Sequence, residues 1–168
     1  MSRYRVASSL LGLAQLGHAQ WFFGNLYEAV VKVPDLLASR GRGTDPPLSP
    51  VGPGSPVRYY AAAVPATFPA VIAAAVAGWD NRSSRPWLVT AAACSVCGAA
   101  VTAYLVPAVN LKLFFSNQEL TATEREDLLR TWYRASALRL AATGVAWLAA
   151  GRARSRLGAQ VEIHRRDS

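Results

Sequence analysis

Apolar residues dominate four stretches of the chain, and the strongly polar positions gather between them, with one exception. The first stretch has no Asp, Glu, Lys or Arg from Val6 to Tyr27, which predicts a helix from about Ser8 to Val33, with Pro34 helping to end it. A second span is expected over Tyr59–Trp79, kinked at Pro65 and Pro69, with Tyr59, Tyr60 and Trp79 at its two ends. A third covers Pro86–Leu111 and a fourth about Thr131–Gly151. Each approaches or exceeds the roughly 20 residues a helix needs to cross a bilayer. The exception is the first stretch, whose polar residues include His18, Asn25, Glu28 and Lys32. His18, Asn25 and Lys32 recur every seven residues and Glu28 falls between the last two, so together they form one stripe on a helix. A polar stripe on an apolar helix must face other helices, a cavity or a ligand.

The segments between the spans have different characters. Residues 39–57 are rich in Gly, Pro and Ser and read as a loop outside the bilayer. Asp80–Arg85 is a tight polar turn, and Lys112–Arg130 is a mixed-charge connection. Within it, Thr121-Ala122-Thr123-Glu124 fits a capping box, so a helix is expected to start there and run into the fourth span. Residues 157–168 read as a disordered polar tail. The expected fold is therefore all-α: a single-domain integral membrane four-helix bundle.

Charge sets the orientation. The chain carries 18 Lys and Arg against 10 Asp and Glu, an excess that in a soluble protein would suggest nucleic-acid binding. Here the arginines sit at the ends of apolar runs, notably Arg152, Arg154, Arg156, Arg165 and Arg166, and this distribution argues against nucleic acid. With Arg3, Arg5, Arg82 and Arg85 they put both termini on the cytoplasmic side of a multi-pass protein of the cell membrane. Arg40, Arg42 and Arg58 run against this assignment. The start of the chain also has the outline of a signal peptide, but the apolar run continues through Trp21, Phe22, Phe23 and Leu26 instead of stopping at a cleavage site.

This topology fixes depths. Glu28, Asn110, Tyr59 and Tyr60 lie near the outer ends of three spans, and Arg139 about two turns inside the fourth. His18 falls nearer mid-membrane. Arg139 is the most costly residue of the chain, at no less than about 2.5–3.5 kcal/mol for an arginine at depth. It needs an anionic or carbonyl partner, and Glu28 is the carboxylate at matching depth. The pair could simply tie helices together, or Arg139 could hold a ligand oxyanion while Glu28 acts as base. His18 is a candidate base but also an ordinary packing histidine, and Asn25 and Asn110 are candidate ligand contacts or interhelical hydrogen-bonders. Trp21 and Trp132 suit either interface anchoring or the wall of a pocket for a planar ligand. Cys94 and Cys97 share a helical face, which suits dithiol chemistry as well as tight packing. No zinc set exists, because His18 and His164 are the chain's only histidines and lie in different environments.

Val106-Pro107-Ala108-Val109-Asn110 at the end of the third span, Leu120-Thr121 in the connection, and Trp132 followed by Arg139 in the fourth resemble the pattern of the DUF1772 family. These are small four-helix membrane proteins that include the anthrone oxygenases of polyketide pathways. The resemblance implies oxidation of a polyketide-like aromatic by dioxygen with no metal or flavin. The residues of this chain allow such a chemistry, with Glu28 or His18 as candidate base, Arg139 and Asn110 as candidates to hold the enolate oxygen, and Trp132 and Tyr59 as candidates to stack on the rings. The expected partners are a lipophilic small molecule, the lipid bilayer and, as an option, a second copy of the chain. The alternatives are a thiol or quinone oxidoreductase of the vitamin K epoxide reductase kind using Cys94 and Cys97, for which partner cysteines are missing, and a non-catalytic membrane subunit or carrier.

Overall fold

The computed structural model describes residues 2–40, 52, 55–61, 64–116 and 120–166. All regular structure among them is helical. Helix α1 spans Ser2–Val30, α2 Val33–Arg40, α3 Pro56–Ala61 and α4 Val64–Gly78. Helix α5 spans Arg85–Leu105 and continues without a break through a π-helical segment, Val106–Asn110, into the single turn α6, Leu111–Phe114. Helix α7 covers Ala122–Arg166. Most of the expected outer loop, 41–51 and 53–54, lies outside the described residues, as do residues 167–168 at the end of the tail.

The first helix ends earlier than expected. Lys32 adopts φ 55°, the left-handed conformation that stops a helix, and its carbonyl accepts from the amides of Asp35 (3.0 Å) and Leu36 (3.2 Å) to start α2. Pro34 sits in the first turn of α2, where its missing N–H costs nothing. Lys32 therefore leaves the stripe that carries His18, Asn25 and Glu28. The tail departs from expectation more strongly. In place of a disordered segment from 157, α7 runs on to Arg166. The residues after Gly151 are mostly good helix formers with no proline among them, so nothing ends a helix already in progress. At its other end α7 starts where the capping box places it. The Glu124 amide donates to Thr121 Oγ1 (3.2 Å) and the Glu124 carboxylate accepts from the Thr121 amide (2.9 Å).

Helix α7 packs along both α1 and α5, and α4 packs along the same two helices. Near the chain start, Ala7, Leu11 and Ala14 of α1 join Ala70, Val71 and Ala74 of α4, Leu88 and Ala91 of α5, and Ala149, Ala150, Ala153 and Leu157 of α7 in one buried cluster. At the opposite end Leu105, Val109 and Leu113 pack with Ala38 of α2 and Trp132 of α7. The first cluster is mostly alanine, which lets helix backbones approach closely. Gly17 takes this further. A Cβ there would fall 1.8 Å from Thr67 Oγ1, so only glycine allows α4 this near to α1. Seven residues on, a Cβ at Gly24 would meet Tyr59 Cε1 at 2.5 Å, and α3 uses the same face.

Large apolar side chains lie on the outside, and a set of polar ones lies inside beside the apolar core. Leu16, Val30, Val76 and Leu148 are 64–72% exposed, while His18, Asn25, Ser95, Arg139 and Thr143 are at most 5% exposed. Among the described residues, two runs are long and apolar enough to cross a membrane by length and composition: the 22 residues Val57–Gly78 and the 30 residues Arg85–Phe114.

Candidate functional site

At the Trp132 end the helices border a half-open cavity of about 380 Å³. Glu28 reaches it from α1, Asn110 from the π-helical segment and Arg139 from α7. Trp21, Trp132 and Phe114 supply aromatic walls, and Val33, Pro34 and Leu37 of α2 and Tyr60, Val64 and Pro65 of the second span complete much of the rest. The lining is apolar apart from a few convergent polar groups, the usual makeup of a small-molecule site.

Arg139 Nη2 lies 3.8 Å from Glu28 Oε2, and the side chains are only 6% and 12% exposed. That is an ion pair, but longer than the 2.7–2.9 Å of a charge-assisted hydrogen bond. The same Nη2 donates to Ser136 Oγ (3.3 Å), one turn back on α7. The guanidinium carbon sits 5.9 Å from the centre of the Trp132 ring, within range of a cation–π contact. Arg139 Nε and Asn110 Oδ1 are buried with no hydrogen-bond partner among the described residues. One donor and one acceptor on the cavity residues are thus left unused, where buried polar groups are ordinarily paired.

Tyr60, which the sequence places only as an interface aromatic, belongs to this site. Its hydroxyl donates to Asn25 Oδ1 (3.2 Å) and lies beside the Glu28 carboxylate. Tyr59, expected to stack on a ligand, turns away from the cavity. It is 48% exposed, with its carbonyl accepting from Gln20 Nε2 (2.6 Å). Asn25 does not line the cavity either but braces Tyr60 from α1. His18 is fully buried a layer deeper, where Nε2 pairs with Ser95 Oγ at 2.8 Å and joins α1 to α5. This contact holds His18 apart from the cavity that Glu28, Asn110 and Arg139 line. Cys94 and Cys97 are free thiols, half-buried, and neither lines the cavity.

Trp21, Trp132, Glu28, Asn110 and Arg139 are therefore brought together, while His18, Asn25 and Tyr59 are not. Thr102 and Phe114 are among the wall residues that sequence reasoning passed over. Among the described residues no three His, Cys, Asp or Glu side chains cluster as a metal-ligand set. Comparisons with protein-family profiles, with curated proteins and with solved structures return no match.

Proposed function

We propose that the protein is a multi-pass membrane enzyme, a four-helix bundle with both termini in the cytoplasm, that oxidises a lipophilic polyketide-like aromatic in the manner of the anthrone oxygenases of the DUF1772 family. The observation that carries this reading is the meeting of Glu28, Asn110 and Arg139, from three separate helical runs, on one aromatic-walled cavity. The exposed apolar side chains, together with His18, Asn25 and Arg139 turned inward, support placement in a bilayer, because a bundle surrounded by lipid turns its polar groups inward.

The chemistry needs a base, an oxyanion holder and an apolar slot. An anthrone carries an acidic C–H opposite its carbonyl. Glu28 takes that proton, and the negative charge moves to the carbonyl oxygen, where Arg139 and Asn110 stabilise it. The carbanion then adds dioxygen to form a C–OOH group, which loses water to give the quinone carbonyl. One anthrone and one dioxygen yield one anthraquinone and one water. Trp21 and Trp132 flank the slot and keep water from the carbanion.

The test uses the purified protein in lipid nanodiscs with anthrone and dissolved dioxygen. Anthraquinone formation above the uncatalysed rate, matched mole for mole by oxygen uptake and lost in Glu28→Gln, is the expected result. No rate above buffer in well-folded protein overturns the proposal.

A further inference from the structure

Two lines of residues at spacing four run along the end of the third span. Val101, Leu105, Val109 and Leu113 pack into the Trp132 cluster. Thr102, Val106, Asn110 and Phe114, each one residue later, line the cavity. An α-helix cannot do this. Four of its residues turn through about 400°, so a line at spacing four drifts about 40° per step and about 120° over three steps. Phe114 would then face a third of a turn away from Thr102. The π-helical segment Val106–Asn110 removes the drift. It holds one extra residue in a turn, which takes back about 100°. Its wider closure shows in the Leu111 amide, which donates to the Val106 carbonyl five residues back. Pro107, lacking an N–H, sits where the ordinary ladder must be interrupted.

We infer that this one-residue insertion, placed at Pro107, sets the register that presents Asn110 and Phe114, rather than their chain neighbours, to the ligand cavity, making Asn110 a ligand contact and Phe114 a wall that sets ligand shape. The inference rests on the proposed site but not on the proposed reaction. The extra residue also explains why Asn110 is buried with an unused acceptor: the turn aims its amide toward the cavity rather than pairing it within the helix. Loss of the extra residue would leave the downstream face unchanged, because deleting from a π segment restores an α-helix without rotating the residues beyond it. Adding a residue would rotate Asn110 and Phe114 away by about 100°.

The experiment is a cysteine scan of the full-length chain in membrane vesicles, in a Cys94→Ala/Cys97→Ala background, labelled with N-ethylmaleimide in the presence and absence of anthrone. Asn110→Cys and Phe114→Cys are expected to label, and Val109→Cys and Leu113→Cys to remain unlabelled. Deletion of Pro107 should preserve the labelling of Phe114→Cys, and an alanine inserted after Val106 should abolish it. An ordinary α-helix suffers equally from both length changes, so equal loss from deletion and insertion overturns the inference. Labelling of Leu113→Cys in place of Phe114→Cys in the unaltered length overturns it independently of how the length variants fold. Labelling at 110 and 114 without protection by anthrone upholds the inference and counts against the proposed substrate.

Discussion

Arg139 and Glu28 face each other on the cavity with Nη2 and Oε2 3.8 Å apart, close enough to neutralise one another and too far to satisfy one another. Arg139 Nε, buried with no hydrogen-bond partner among the described residues, is the donor that a ligand oxygen would take in the proposed site.

Removing one partner leaves the other charge buried alone, and Glu28→Gln or Arg139→Gln should each lower stability by about 3 kcal/mol. The double variant should be less destabilised than the sum of the singles, as read from denaturation in detergent micelles. Strictly additive losses would show that the two charges do not interact.

Tyr60 and Tyr59 are neighbours in sequence with opposite roles. Tyr60→Phe removes the hydrogen bond to Asn25 and should cost about 0.6 kcal/mol, typical of an interhelical bond in membranes. It should also weaken quenching of tryptophan fluorescence by anthrone, because Trp21 and Trp132 share the cavity with Tyr60. Tyr59→Phe should leave that quenching unchanged. Equal effects from both would remove Tyr60 from the site.

Gly17 is where α4 touches α1. Gly17→Ala puts a methyl carbon 1.8 Å from Thr67 Oγ1 and should destabilise by about 1–3 kcal/mol, the usual range for overpacking. Thr67→Ala in the same chain should recover part of the loss, since it removes the clashing oxygen. Thermal unfolding of the single and double variants is the measurement.

The start of α7 responds to acid. Hydrogen bonds from Thr121 hold the exposed Glu124 carboxyl below its usual value of 4.5. A carboxylate with a lowered pKa stabilises the fold in full above its unfolded value, and that contribution fades as pH falls through the folded one. Fraying of the first turn of α7, followed by amide exchange at Glu124 and Arg125, should rise below about pH 4.5 and should already be present at neutral pH in Glu124→Ala, which removes the acceptor.

Depth along the helices was readable from the sequence, and direction around them was not. A rise of about 1.5 Å per residue and the order of the spans place Glu28, Asn110 and Arg139 at one level, and these three share the cavity. Tyr59 and Tyr60 have nearly the same depth but point about 100° apart, so depth alone could not choose between them. The capping box at Thr121 was legible because its partners lie three residues apart. The continuation of α7 to Arg166 was not, because a polar composition suits an exposed helix as well as a coil. Lys32 left its stripe through a left-handed turn that no residue of the usual glycine or asparagine type announces. His18 lies a layer deeper than the cavity residues, but its partner Ser95 lies 77 positions away among small residues with no pattern to mark it.

The polar stripe on α1 bears on how the chain is made. Its groups find their partners on helices that leave the ribosome later: Tyr60 for Asn25, Ser95 for His18, and Arg139, last of all, for Glu28. In the membrane reading the newborn first helix must wait in or beside the insertion machinery with its carboxylate unmatched until the final span arrives. A chain stopped before Arg139 would lack the cation that Glu28 faces in the finished bundle, so the last helix supplies the charge balance for the first.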